Sequence, residues 1–169
     1  VSASADTYRS ALEAVDRIVN REVEADEVLR RVVDVLHDRF DQYSWVGIYL
    51  IEREDLVLGP WRGPRATEHV RIPVGQGICG AAAASGRTEV VDDVNADARY
   101  LPCFPSTRSE IVVPIPYERR VVGEIDIDSD DPSAFGEADR AFLERVALLI
   151  SPHCLVGWDT GGVPWPEVI

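Results

Sequence analysis

"SEIVVPIPYERRVVGEIDIDS", residues 109–129, is two strand-forming runs joined by a short polar turn. Its second half raises the question of what kind of sheet this is. Ile125 and Ile127 alternate with Glu124, Asp126 and Asp128, so the isoleucines share one strand face and the acids the other. One interpretation is a strand with a solvated outer face. The other is a sheet whose second face carries a carboxylate-lined pocket. The neighbouring run supplies Glu110 to that same region. Acids crowded and buried there would have at least one pKa raised, leaving a neutral carboxyl group able to donate a proton.

Upstream, "SWVGIYLIE" (44–52) is β-rich, and Glu54 and Asp55 mark a turn into "LVLGPW", predicting a hairpin. Residues 68–74 predict a third strand, and "GQGICGAAAASG" (75–86) a short helix packing closely through its alanines. "TEVVDD" predicts a brief strand. A loop rich in Asp, Asn and Pro then spans about 93–108, long enough to expect a function for it.

Helical spacing of apolar residues covers 5–20 and 26–40, the second with Asp26 as N-cap. A terminal helix covers 137–151 and stops at Pro152. Strands in one antiparallel sheet, with helices gathered on a face, make an α+β layout. Residues 1–152 form a single domain, and 153–169, with Trp158 and Trp165, an irregular tail.

The chain has 169 residues and a net charge of −13, and all 17 of its basic residues are arginine. That field repels phosphate backbones and anionic lipid, which argues against nucleic-acid and membrane partners. No run approaches the roughly 18 apolar residues of a membrane span. The start has no basic region followed by an apolar one, and three cysteines do not form a secreted disulfide framework. A cytoplasmic location is expected. Metal-ligand spacings such as CxxC are absent and the three histidines lie far apart, so no metal or bound cofactor is expected. "GQGICG" fits GxGxxG, but without the rest of a dinucleotide-binding unit.

Trp45 and Tyr49 share a strand face, either as aromatic core or as walls of a small-molecule site. Cys79 lies near a helix start, where it is a buried filler or a thiol of lowered pKa. Cys103 sits in the long loop, where simple packing explains it less well. Cys154 follows the last helix and is given no role.

"SWVGIYL", "LVLGPWRG", "VRIPVGQGICGAAAASG", "SEIVVPI" and "VVGEIDIDS", in this order and spacing, resemble a GAF domain. More narrowly they resemble the free methionine-(R)-sulfoxide reductases, which are stand-alone GAF domains. The resemblance implies a ligand pocket closed by the long loop. It places Trp45, Tyr49, Glu110, Asp126 and Asp128 among the substrate contacts and Cys103 as the catalytic nucleophile. A thiolate attacks the sulfoxide sulfur, an acid such as Glu110 protonates the oxygen, and a sulfenic acid forms on Cys103. The usual resolving cysteine is replaced by His69. Resolution then falls to Cys79, if its Cα comes within about 7 Å of that of Cys103, or to an external thiol of the glutathione or thioredoxin kind. The alternative is a non-catalytic sensor holding a small amino-acid-like ligand, paired as a homodimer through its terminal helices. A further alternative is a redox sensor signalling through Cys103. A low-pKa Cys103 would favour the chemical readings and an inert one the binding module.

Overall fold

The computed structural model describes residues 3–21, 24–155 and 163–164. In chain order the elements are α1 (Ala5–Arg21), α2 (Ala25–Arg39), β1 (Trp45–Glu52), β2 (Asp55–Arg62) and β3 (Arg71–Pro73). There follow α3 (Gly77–Ser85), β4 (Glu89–Val91), β5 (Ser109–Tyr117), β6 (Arg120–Ser129), α4 (Glu137–Ile150) and β7 (Val163–Pro164). The strands form one antiparallel sheet in the order β3-β2-β1-β6-β5-β4, with β7 pairing the start of β6. The α+β expectation holds.

Alternation along the central strands produces two cores. Val46, Ile48 and Leu50 of β1, Ile111, Val113 and Ile115 of β5, and Ile125 and Ile127 of β6 face α1, α2 and α4. Each such side chain contributes about 1.5–3 kcal/mol when fully buried. The opposite face carries Trp45, Tyr49, Ile51 and Val112 and is covered by α3 and the long loop. The sheet thus divides an ordinary apolar core from a mixed one.

Proline placement fits this order. Pro114 and Pro116 lie on β5 beyond the Glu110–Val112 stretch that pairs with β4, so their missing N–H groups leave no ladder bond unmade on that side.

Several local expectations are corrected. The N-cap position of α2 is Glu24, which makes no side-chain cap; Asp26 lies inside the first turn, where its charge complements the helix dipole. The β1–β2 turn is Arg53 and Glu54, with Asp55 already paired to Glu52. The third strand is only Arg71–Pro73. Pro152 does not end helical structure: α4 stops at Ile150 and a 3-10 turn runs through Ser151–Leu155. The start of the tail is therefore ordered. Trp158 and Trp165 lie outside the described residues.

The start of α4 is anchored by a residue that periodicity did not single out. Asp139 is buried and accepts hydrogen bonds from the Tyr8 and Tyr43 hydroxyls at 2.8 Å each and from the Gly136 amide at 2.9 Å. One carboxylate thus ties α1, the segment before β1 and α4 together.

Candidate functional site

Strand register assembles the site. Asp128 of β6 stands between Trp45 of β1 and Glu110 of β5; two residues back, Asp126 stands between Gly47 and Val112; two further, Glu124 stands between Tyr49 and Pro114. The interpretation of these acids as a solvated face is excluded, because Glu110, Glu124, Asp126 and Asp128 are each at most 4% exposed. Both carboxyl oxygens of Glu124 and of Asp128, and Oδ1 of Asp126, have no hydrogen-bond partner. Buried polar groups are rarely left so, and each unmade bond costs about 1–3 kcal/mol.

The aromatic wall depends on missing side chains. The Trp45 ring lies flat against Gly47 and Gly63: a Cβ would come within 2.3 Å of the indole at either position. Trp61 stacks at 6.2 Å and Phe104 of the long loop lies tilted at 5.9 Å. The indole Nε1 is buried without a partner. The Tyr49 hydroxyl is committed, donating to the His69 carbonyl at 2.7 Å.

The long loop covers the site. It contains a 3-10 turn at Val94–Ala96, and Arg99 pairs with Asp97 and Glu89. Leu101 rests on Gly77, whose φ of +71° no β-carbon would favour and where a Cβ would come within 2.8 Å of the leucine. Cys103 is half-buried and donates weakly to the Leu101 carbonyl at 3.5 Å. His69, just before β3, places Nε2 3.1 Å from the Pro102 carbonyl. A carbonyl only accepts, so Nε2 carries the hydrogen. The residue standing where a resolving cysteine was expected therefore holds the loop beside Cys103.

Cys79, on the first turn of α3, is buried over the acids and donates to Glu110 Oε1 at 3.7 Å. It is a filler by burial and a neighbour of the acids by position. Of the two readings of Cys79 the buried filler holds, and the helix start does not lower its pKa. Burial, then Asp126, Glu124 and Glu110, push the thiol well above its ordinary range. The Cys103 thiol is pushed up too, first by burial and then by Asp128, Asp126 and Glu110.

The carboxyl groups move in the same direction. Burial raises Asp126 to about 7. Burial, followed by the charge of Asp126 and other acids, raises Glu110, Glu124 and Asp128 well above the carboxylate range. The charged neighbours that act on this cluster are other acids, so protons neutralise it in the absence of a cationic ligand.

The seven residues singled out from sequence, Trp45, Tyr49, Cys79, Cys103, Glu110, Asp126 and Asp128, all belong to this one face or to α3 and the loop that cover it. Glu124 was placed on the correct face yet not selected. Phe104 and the His69 ring were missed as contacts, because loop-to-sheet packing has no periodic signature. Ligand spacing showed no metal pattern, yet Cys79, Glu110 and Asp126 bring donor atoms within 4.8 Å of one another from three elements.

The GAF domain family model matches residues 24–152. A free methionine-R-sulfoxide reductase of Escherichia coli is 37% identical over 112 residues, covering 66% of this chain and 67% of that protein. The crystal structure of a free methionine-R-sulfoxide reductase from Neisseria meningitidis, in complex with its substrate, superposes with a TM-score of 0.83 at 37% identity, covering 90% of this chain and 92% of the other. A GAF sensor protein structure from Burkholderia vietnamiensis, its function assigned there only provisionally, gives a TM-score of 0.84 at 29% identity, covering 90% and 96%.

Proposed function

The chain belongs to the GAF domain family, and we propose that it reduces free L-methionine-(R)-sulfoxide by thiol chemistry at Cys103. The observation that carries this is the set of buried acids with unpartnered oxygens, walled by Trp45 and lying under the loop that bears Cys103. Such acids cost stability, and a small ligand with an ammonium group and a hydrogen-bond acceptor would satisfy them. The reductase relatives and the substrate complex of one of them support the choice of ligand.

In this reading Asp126 and Asp128 receive the ammonium group, and the Trp45 face receives the methylthio end. The arriving positive charge offsets the acids that, after burial, hold the Cys103 thiol protonated, so the nucleophile is activated by its own substrate. The Cys103 sulfur attacks the sulfoxide sulfur, and a neutral carboxyl group, Glu110, donates to the sulfoxide oxygen. Oxygen passes to Cys103, leaving methionine and a sulfenic acid. Cys79 then condenses with the sulfenic acid, releasing water and forming a disulfide. An external thiol reductant of the thioredoxin or glutathione class restores both thiols.

The test is a single turnover with reduced protein and excess free L-methionine-(R)-sulfoxide. We expect about one methionine per chain, consistent with one nucleophile per site, together with a Cys79–Cys103 disulfide by mass spectrometry. Cys103→Ser should bind the sulfoxide and release no methionine; turnover surviving in that variant would refute the assignment. A sensor reading is favoured by the thiol of Cys103, which burial and the neighbouring acids hold protonated. Binding of the sulfoxide with no methionine release by the wild-type chain would select it.

A further inference from the structure

We propose that the acid cluster with Cys79 is also a site for a single divalent cation of borderline softness, zinc or ferrous iron, held by Cys79 Sγ, Glu110 and Asp126. The donor atoms of these residues lie within 4.8 Å of one another, and all three residues are buried. A tetrahedral zinc centre needs donors roughly 3.3–3.7 Å apart, given metal–ligand distances of about 2.0–2.3 Å. Cys79 Sγ and Glu110 Oε1 already stand at 3.7 Å. The other separations, at most 4.8 Å, have about 1 Å to close.

A second observation is independent of that spacing. Oδ1 of Asp126, which is 1% exposed, has no partner, and neither do both oxygens of Asp128 and of Glu124 on the same strand face. Of these oxygens the proposed cation takes that of Asp126, and its double charge offsets the neighbouring Asp128 and Glu124 carboxyl groups. The donor set also selects among metals. One sulfur with two carboxylates is too soft for magnesium or calcium, which prefer all-oxygen shells, and suits zinc or iron(II). Three protein ligands leave a fourth position open.

The consequence for turnover rests on the reductase reading; the binding itself does not. A cation here occupies the acids needed by the sulfoxide substrate and holds Cys79 as a thiolate ligand, removing it as the resolving thiol. Metal and substrate are then mutually exclusive, and a rise in free zinc switches the site off.

The experiment uses the reduced, metal-free full chain, titrated by calorimetry with Zn²⁺ and separately with Mg²⁺. Co²⁺ serves as an optical probe of sulfur ligation. We expect one saturable Zn²⁺ site per chain, no comparable Mg²⁺ site, and a thiolate-to-cobalt charge-transfer band. Cys79→Ser and Asp126→Asn should each weaken Zn²⁺ by more than the roughly 10–100-fold that loss of an outer-shell partner costs. Cys154→Ser, whose sulfur lies in the other core, should keep both the site and the cobalt band. If Cys79→Ser folds poorly by circular dichroism, Asp126→Asn decides. No saturable uptake, equal uptake of Mg²⁺, or a cobalt band that survives loss of Cys79 would overturn the proposal. A chain that takes up zinc through Cys79 yet never releases methionine when metal-free would refute the reductase reading and leave this one standing.

Discussion

At the scale of single residues, the decisive feature is a set of buried acids with no cationic partner beside them. Cys103 lies under a loop and over acids, and burial together with Asp128, Asp126 and Glu110 favours its thiol over its thiolate. A nucleophile in this state reacts slowly with casual oxidants. We therefore expect Cys103 to react with iodoacetamide at pH 7.5 more slowly than free glutathione does, and to accelerate when methionine, supplying the ammonium group without the sulfoxide, is bound. Peptide mapping of the alkylated protein checks both statements; a Cys103 faster than glutathione in the empty protein would show a pre-formed thiolate instead. Sequence spacing found the acids, because a period of two places Asp126 and Asp128 on one face whatever the rest of the chain does, whereas Cys103 was singled out by its place in the long loop and by the family resemblance. It had no means of giving the direction of the thiol shift, since that depends on how deeply the loop closes.

At the scale of elements, the site is a strand trio and a lid. β6 supplies an acid at every second position from Glu124 to Asp128, β1 adds Trp45 and Tyr49 and β5 adds Glu110 in register with them, and the loop from 93 to 108 brings the sulfur. The hydrogen bond from His69 to the Pro102 carbonyl is a latch on that loop. A bond of this kind is worth about 1 kcal/mol, or about a fivefold shift in the opening equilibrium. In His69→Ala the Thr107 amide, which donates to the Phe104 carbonyl at 3.2 Å, should lose about that factor of hydrogen-exchange protection. His69→Gln, which keeps a donor, should recover part of it. Unaltered exchange in His69→Ala would mean that Leu101 on Gly77 and the Arg99 ion pairs hold the loop unaided. The hairpins and helices were legible in advance from periodicity. The latch was not: His69 and Pro102 are 33 residues apart and share no pattern.

At the scale of the whole molecule, a net charge of −13 opposes compactness. Most ion pairs that offset it are on the surface, such as Arg9–Asp6 and Arg71–Glu52, and exposed pairs each contribute little. Raising salt shortens the screening length from about 30 Å at 0.01 M to about 3 Å at 1 M. It therefore relieves the general repulsion more than it weakens those few pairs. The melting temperature should rise between 0.01 M and 1 M KCl; a fall would mean that the pairs outweigh the repulsion. The apolar residues of α1 and α4 pack together with α2 inside the protomer, and among the described residues no helix is long and apolar enough to cross a membrane.

By itself the sequence determined the two faces of the sheet, the helices that cover one of them and the identity of the residues on the other. These follow from periodicities of two and 3.6 that act locally. It also determined the two hairpins, β1–β2 and β5–β6, because the turns between those runs are short and polar; that β1 and β6 join them into one sheet was decided by the fold. Tertiary structure alone decided that the acidic face is buried, that Cys79 stands over Glu110, that His69 reaches the loop beside Cys103, and that three ligand atoms converge from α3, β5 and β6. Each of these depends on distances between segments remote along the chain. Local pattern gives a side chain's direction, and only the folded chain gives what that side chain meets.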